Sequence, residues 1–310
     1  MIKIITFTDI HIADKNPLSR KDNYKESIFN KLKQIGEICS REKVDLAICA
    51  GDVFHIKSPT KISHHLVSQL IDIFTRFPCP IFSIYGNHDV TQNNLNNLPK
   101  QPYSTLINSE VFTEITDGFF KDHIRIFKVD GLLEPSYEDF NREKKCEKIQ
   151  ICVAHVNASS KFDDLFGEKV YTYQELEKTS PDIFVFGHYH PDQGIEIRNG
   201  KHFVNVGSIS RGSLKKDELN RIPSVGLIEI DDNFNIKTSK IQLNVLSASE
   251  IFDLELKEKE EKEEEEINKF IEELKNRIII NKTEDVCDQI KNLNVEKAVK
   301  ERALFYYDKS

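Results

Sequence analysis

Five times along the chain, a short run of apolar residues ends abruptly and ionisable side chains follow at once. The runs are Ile2–Phe7, Leu46–Ala50, Pro80–Tyr85, Ile149–Ala154 and Ile183–Phe186, each of a length that suits a strand buried on both faces. Between the first two, Tyr24–Lys43 carries Ile28, Leu32, Ile35 and Cys39 at helical spacing. Ser58 and Pro59 have the form of a helix start, with Ser as cap and Pro in the first turn, and predict a second helix running to Phe77. That helix is apolar around its girth: Ile62, Leu66, Leu70 and Phe77 form one stripe, Val67, Ile71 and Phe74 a neighbouring one. A helix lodged deep in the domain would bury both stripes. The other outcome is one stripe on the sheet and one on a second copy of the chain, giving a homodimer.

Residues 1–245 alternate β-rich runs with helices, the pattern of a layered α/β (α+β) fold. From Ser249 the character changes. Lys257–Glu266 is a dense mixed-charge run, followed by Ile267, Phe270, Ile271 and Leu274 at helical spacing; Asn294–Tyr307 carries Val295, Val299, Ala303 and Leu304 in the same way. The expected organisation is one catalytic domain over 1–248 and a small helical accessory module over 249–310.

Composition narrows the class. No run approaches the roughly 20 apolar residues of a membrane span, and Asp9 interrupts the apolar N-terminus too early for an export signal. The six cysteines, at 39, 49, 79, 146, 152 and 287, include no CxxC pair. Reduced thiols of this kind fit a cytoplasmic location, bacterial or in a phage-infected host, and argue against zinc-finger chemistry. Net charge is −8, with 12 Lys+Arg against 18 Asp+Glu in residues 250–310 and 31 against 33 in the rest. No basic excess signals nucleic acid, so a nucleic-acid partner must be argued from motifs.

The ionisable residues that follow the apolar runs are Asp9 and His11, Gly51-Asp52, Gly86-Asn87-His88-Asp89, His155, and Gly187-His188-Tyr189-His190. Strand ends of a layered sheet can converge on one crevice. Residues i and i+2 of an extended segment point the same way, so Asp9 with His11, and His188 with His190, can each present a pair of donors to one place. The glycines before Asp52, Asn87 and His188 are expected to allow a sharp turn out of each strand. A single His or Asp at a strand end is usually a hydrogen-bonded turn residue; five such clusters together are a metal site. Mixed carboxylate, imidazole and amide donors suit Mn, Fe or Zn better than Ca or Mg. Seven donors (Asp9, His11, Asp52, Asn87, His155, His188 and His190) are too many for one ion with open positions and right for two. Asp52, with two oxygens to share, is the expected bridge. Two divalent ions against two carboxylates leave a charge of about +2, which attracts phosphate and acidifies a bound water for in-line attack at phosphorus.

The series DIH, GD, GNHD, AH and GHYH, in this order over residues 9–190, resembles the calcineurin-like metallophosphoesterase superfamily. The resemblance implies a two-sheet sandwich flanked by helices. It implies one metal held by Asp9, His11, Asp52 and His190, and a second by Asp52, Asn87, His155 and His188, with Mn²⁺ the expected ion. His88 would be the acid that serves the leaving oxygen, with Asp89 fixing its ring; an unperturbed imidazole pKa near 6.5 suits that task. More narrowly, Gly51–Thr60 looks like the signature of the SbcD-type double-strand-break repair nucleases. Arg20–Ile35 and Asn205–Arg211 are similar to two further segments of those enzymes.

This narrower resemblance implies an exo- or endonuclease acting on DNA in repair or recombination, with His55 positioning the phosphate. It also implies an SMC-like coiled-coil ATPase of the SbcC type as partner. The sequence has no GxxxxGKS/T loop, so ATP dependence would come from that partner. Members of that group usually carry a DNA-contacting cap followed by ATPase-docking helices; the residues after the sandwich are expected to represent either a reduced cap or the docking helices, but not both. The alternative enzyme is a stand-alone metallophosphoesterase acting on nucleotides or phosphoproteins, which needs neither His55 nor a dimer. The full set of ligands opposes a non-catalytic scaffold. His64, His65, His123 and His202 match no motif and read as surface or structural.

Overall fold

The computed structural model describes residues 1–255 except 122, 145 and 166, together with 290, 300–302 and 304. Two compact units are present, Met1–Phe252 and Asp253–Ser310. The helices expected over 257–274 and 294–307 lie outside the described residues, apart from the helical positions 300–302 and 304.

In chain order, the strands of the two main sheets are β1 (Ile2–Phe7), β2 (Leu46–Cys49), β3 (Ile81–Ser83), β4 (Thr113–Glu114), β5 (Asp117–Phe120), β6 (Ile124–Val129), β7 (Ile149–Val156), β8 (Ile183–His188), β9 (Gly194–Arg198), β10 (Lys201–Asn205), β11 (Ser224–Ile230) and β12 (Ile236–Gln242). One six-stranded sheet runs β12-β11-β1-β2-β3-β4 and the other β9-β10-β8-β7-β6-β5. Within the first, β1, β2, β3 and β4 are parallel neighbours. Within the second, β6, β7, β8 and β10 are parallel neighbours. All five apolar runs are therefore strands of these parallel blocks.

Side-chain parity explains why those runs are apolar throughout. Ile4, Leu46, Ile48, Ile151, Val153, Ile183 and Val185 meet between the sheets. Their sequence neighbours Ile5, Ala47 and Cys49 face the helices outside the first sheet. Cys152, Ala154, Phe184 and Phe186 pack with Tyr171, Tyr173 and Phe203 outside the second. A strand covered on both faces needs apolar residues at both parities.

Helix α1 (Tyr24–Glu42) ends as expected, with Asn23 accepting from Glu26 N at its start and Lys43 in a left-handed cap. The second helix differs from expectation. Pro59–Lys61 is a single 3-10 turn, Ile62 is extended, and α2 (His64–Phe74) begins at a second cap, Ser63, which accepts from Leu66 N. Asp14 fixes that restart by accepting from both Ser63 N and Ser63 Oγ at 2.8 Å. The stripe expected to face a second copy is largely covered within the chain: Val67 is 8% and Phe74 2% exposed. Helix α3 (Pro102–Asn108) and Phe112 close over it, with the Phe74 and Phe112 rings 4.6 Å apart. Of the three residues of that stripe, Val67 and Phe74 are thus covered within the chain, and Ile71 is half-buried.

Candidate metal centre

Because β1, β2 and β3 are parallel, their C-terminal ends emerge at one edge, and β7 and β8 deliver His155 and His188 from the facing sheet. The ladder continues past the strands, with Asp9 N donating to Gly51 O and His11 N to Asp52 O, both at 3.0 Å. Simple i, i+2 alternation does not describe these segments. Asp9 (φ 52), His11 (φ 46), Asp52 (φ 52) and His188 (φ 90) all have positive φ. Each such non-glycine residue costs on the order of 1–3 kcal/mol, and strain of this kind collects at working sites.

Two of the three glycines serve differently from expectation. Gly51, at φ 98, is a true turn glycine. Gly86 and Gly187 are required because a Cβ there would collide with the Asp52 carboxylate and with Thr8 Oγ1, respectively.

All seven expected donors converge, in two groups. In the first, His11 Nε2 lies 2.8 Å from His190 Nε2, 3.6 Å from Asp9 Oδ1 and 3.4 Å from Asp52 Oδ2. In the second, His155 Nε2 lies 3.2 Å from Asp52 Oδ2 and 3.3 Å from Asn87 Oδ1, which is itself 3.1 Å from His188 Nδ1. Asp52 Oδ2 is common to both. His188 and His190 thus serve different groups rather than one, because the positive φ at His188 turns the chain between them.

The donors present fit a pair of cations. His11 and His190 aim ring nitrogens at one another beside two carboxylates, a cluster of lone pairs that positive charge reconciles. Burial alone would raise Asp9 and Asp52, but the surrounding imidazoles hold both carboxyls well below their usual range. Burial would lower His155, yet Asp52 and Asp9 push it up to about 9.

His88 sits beside the first group. Its N–H donates to Asp52 Oδ1 at 2.7 Å, and its Nδ1 faces the His55 carbonyl at 2.7 Å. The His55 ring stacks on it at 5.8 Å. Asp89 does not fix this ring, contrary to expectation. Its buried carboxylate accepts from Val53 N, Phe54 N and Gly86 N at 3.0–3.2 Å, tying the loops after β2 and β3 together. His202 is buried against Thr238 Oγ1 at 2.8 Å, His123 packs its ring against Phe234, and His64 and His65 are exposed, so none of these four enters the centre.

Further contacts had no sequence signal. His155 Nδ1 faces Ala50 O at 2.8 Å, His190 Nδ1 lies 3.8 Å from Glu218 Oε1, and His188 Nε2 lies 3.9 Å from Glu168 Oε2. A groove of about 490 Å³, lined in part by Asn93, Leu132, Asn157 and Lys169, opens beside His155 and His188.

The family described as calcineurin-like phosphoesterase matches residues 2–192, a span that contains every donor of both groups. The chain belongs to that family. As a calcineurin-like phosphoesterase it is a hydrolase acting on phosphate esters, and its two donor groups are compatible with the family's dinuclear metal centre. Among curated proteins, the double-strand break repair protein mre-11 of Caenorhabditis elegans is 27% identical over 29% of this chain and 16% of its own length. The DNA double-strand break repair protein Mre11 of Saccharolobus solfataricus is 29% identical over 29% of this chain and 23% of its own. The chain thus spans less than a quarter of either relative. A dimetal phosphatase of Danio rerio matches in structure with a TM-score of 0.48 and 11% identity, over 78% of this chain and 99% of that one. Among the described residues, no helix is long and apolar enough to cross a membrane.

Proposed function

We propose that this phosphoesterase is a DNA nuclease of the SbcD type that cleaves phosphodiester bonds at DNA ends, with an SMC-like ATPase as partner. The observation that carries the reading is His55. It belongs to the Gly51–Thr60 signature rather than to the general family motifs, and its ring lies against both His88 and His11 at the rim of the centre. The partial similarity to two proteins named for double-strand break repair points the same way.

In this reading, Asp9, His11, Asp52 and His190 hold one cation, and Asp52, Asn87, His155 and His188 the other. A bound pair of divalent ions supplies Lewis acidity and an acidified water. The remaining steps belong to the chain. His88, with Nδ1 committed to the His55 carbonyl, keeps Nε2 for proton transfer to the leaving oxygen. His55 orients the phosphate, and the groove beside His188 receives the adjoining part of the substrate.

The test compares cleavage of a blunt duplex with hydrolysis of a small chromogenic diester, each in chelator and after adding back Mn²⁺, for the wild type and His55→Ala. The expected result is Mn²⁺-dependent duplex cleavage that His55→Ala impairs more than diester hydrolysis. Hydrolysis of the small diester or of nucleotides without any action on DNA would replace this reading with that of a stand-alone phosphoesterase.

A further inference from the structure

We infer that Glu218 is the positioning residue for His190: it holds the ring in the tautomer whose Nε2 faces Asp9 and His11, and so sets how tightly that half of the centre keeps its cation. The inference rests on the reading of the two donor groups as a metal pair.

A neutral imidazole carries one N–H, and the group facing one nitrogen decides what the other can do. His190 Nε2 points into the centre, 2.8 Å from His11 Nε2 and 3.6 Å from Asp9 Oδ1. Its Nδ1 faces Glu218 Oε1 at 3.8 Å, ion-pair range rather than hydrogen-bond length. A carboxylate there repels a bare lone pair and favours Nδ1–H, which leaves Nε2 unprotonated and able to donate to a cation. Carboxylates behind ligating histidines act in this way in metalloproteins generally.

Glu218 is built to hold still. It is 5% exposed, and its Oε2 accepts from Gly212 N at 2.6 Å and Ser213 N at 2.7 Å. The preceding loop is bound to the centre itself, with Ser208 N donating to His190 O at 3.0 Å and Ser208 Oγ to Asp9 O at 2.7 Å. Buried basic side chains clamp four successive carbonyls of that loop. Arg221 takes Ser208 O and Ser210 O, Lys31 takes Ile209 O, and Arg20 takes Arg211 O.

The other half lacks this backing. His155 relies on a backbone carbonyl, and the Glu168 side chain near His188 is 64% exposed on the rim of the groove. A carboxylate in water orients a ring far less than a buried one does.

The test uses Glu218→Gln, whose amide oxygen can still accept from Gly212 and Ser213. Metal content and Mn²⁺ titration calorimetry give the affinities, and melting of the metal-free protein reports the fold. Two ions are expected in the wild type. In the variant, one is expected to be kept and the other bound about 10- to 100-fold more weakly, with metal-free melting unchanged. Glu168→Gln should change affinity much less. Nitrogen-15 NMR of the histidine rings in metal-free wild type should place the His190 proton on Nδ1, a signature that a purely structural glutamate would not determine. Full affinity for both ions in Glu218→Gln overturns the inference, as does a wild-type His190 proton on Nε2. A wild type that binds no ions would instead overturn the reading of the metal centre.

Discussion

The backbone N–H of His88 donates to Asp52 Oδ1 at 2.7 Å, while the other oxygen of that carboxylate lies within 3.4 Å of both His11 Nε2 and His155 Nε2. One side chain therefore joins the two donor groups and anchors the loop that carries Asn87 and His88. Asp52→Ala is expected to lose both ions, not one. Asp52→Asn can present its amide oxygen to His88 N, so it should keep the loop in place while binding metal weakly. Elemental analysis after dialysis checks this; an alanine variant that keeps two ions refutes the bridging role.

His88 should matter to turnover and not to metal content. Its Nδ1–H is committed to the His55 carbonyl at 2.7 Å, so the proton it can pass is the Nε2–H of the imidazolium form. Replacement by alanine is expected to slow kcat by about 10²-fold or more, the usual scale of general acid–base catalysis. Diesters with an acidic leaving group need little protonation and should lose least. Measuring kcat on two substrates of different leaving-group pKa, with metal content in parallel, tests both parts. An equal loss on both would assign His88 to geometry rather than proton transfer.

Asp89 should behave as a structural residue. Its carboxylate serves three backbone N–H groups, from Val53, Phe54 and Gly86. Asp89→Ala leaves these buried donors unmatched, at about 1–3 kcal/mol for each unsatisfied group. Denaturant unfolding of the metal-free protein should show a loss of at least about 3 kcal/mol. Wild-type stability together with lost activity would return Asp89 to a catalytic role.

What the sequence disclosed and what it hid follow from where each signal resides. Metal donors at strand ends stand out because metal-capable polar side chains interrupt runs that burial keeps apolar on both faces, so all seven donors were readable. Their division into two groups came from the family resemblance and not from local pattern, since it depends on left-handed backbone at Asp9, His11, Asp52 and His188. The family resemblance made Asp89 the partner of the His88 ring, but its carboxylate turns back to the backbone of Val53, Phe54 and Gly86. Glu218 lies in the polar stretch Leu214–Asn220, where nothing marks one carboxylate as different from its neighbours. The apolar stripes of α2 were visible, but periodicity does not say what covers a stripe. Here α3 and Phe112 do.

That covering changes what substitutions in α2 should do. Phe74 is 2% exposed and lies 4.6 Å, ring to ring, from Phe112. Phe74→Glu places a carboxylate in the core and removes a large ring, at about 3–5 kcal/mol for the lost packing alone. The variant should unfold at much lower denaturant at every protein concentration, and not merely dissociate. A stable Phe74→Glu monomer from a wild-type dimer would show instead that this face is an interface.

Lys31 offers a test with a definite pH direction. Its Nζ donates to Ile209 O at 2.8 Å. Burial first, then the nearby Arg20, Arg211 and Arg221, hold its pKa well below that of an ordinary lysine, while Asp22 pulls the other way. In the unfolded chain the amine titrates near its usual value of about 10.4. Between the folded and unfolded pKa values the unfolded state binds one proton more, so this group makes stability rise with pH and fall as pH drops. Above about 10.4, and below the folded pKa, its contribution is flat. Lys31→Met lacks the group, and subtracting its stability from that of the wild type cancels the titrations both share. From pH 8 to pH 10, in chelator to keep metal binding out of the comparison, the wild type should gain on the variant by up to about 1.4 kcal/mol per pH unit. The gain should fade only as pH approaches the unfolded pKa. A difference that stays flat or declines over that range would mean that Lys31 is protonated in the folded protein and that Asp22, not burial, governs it.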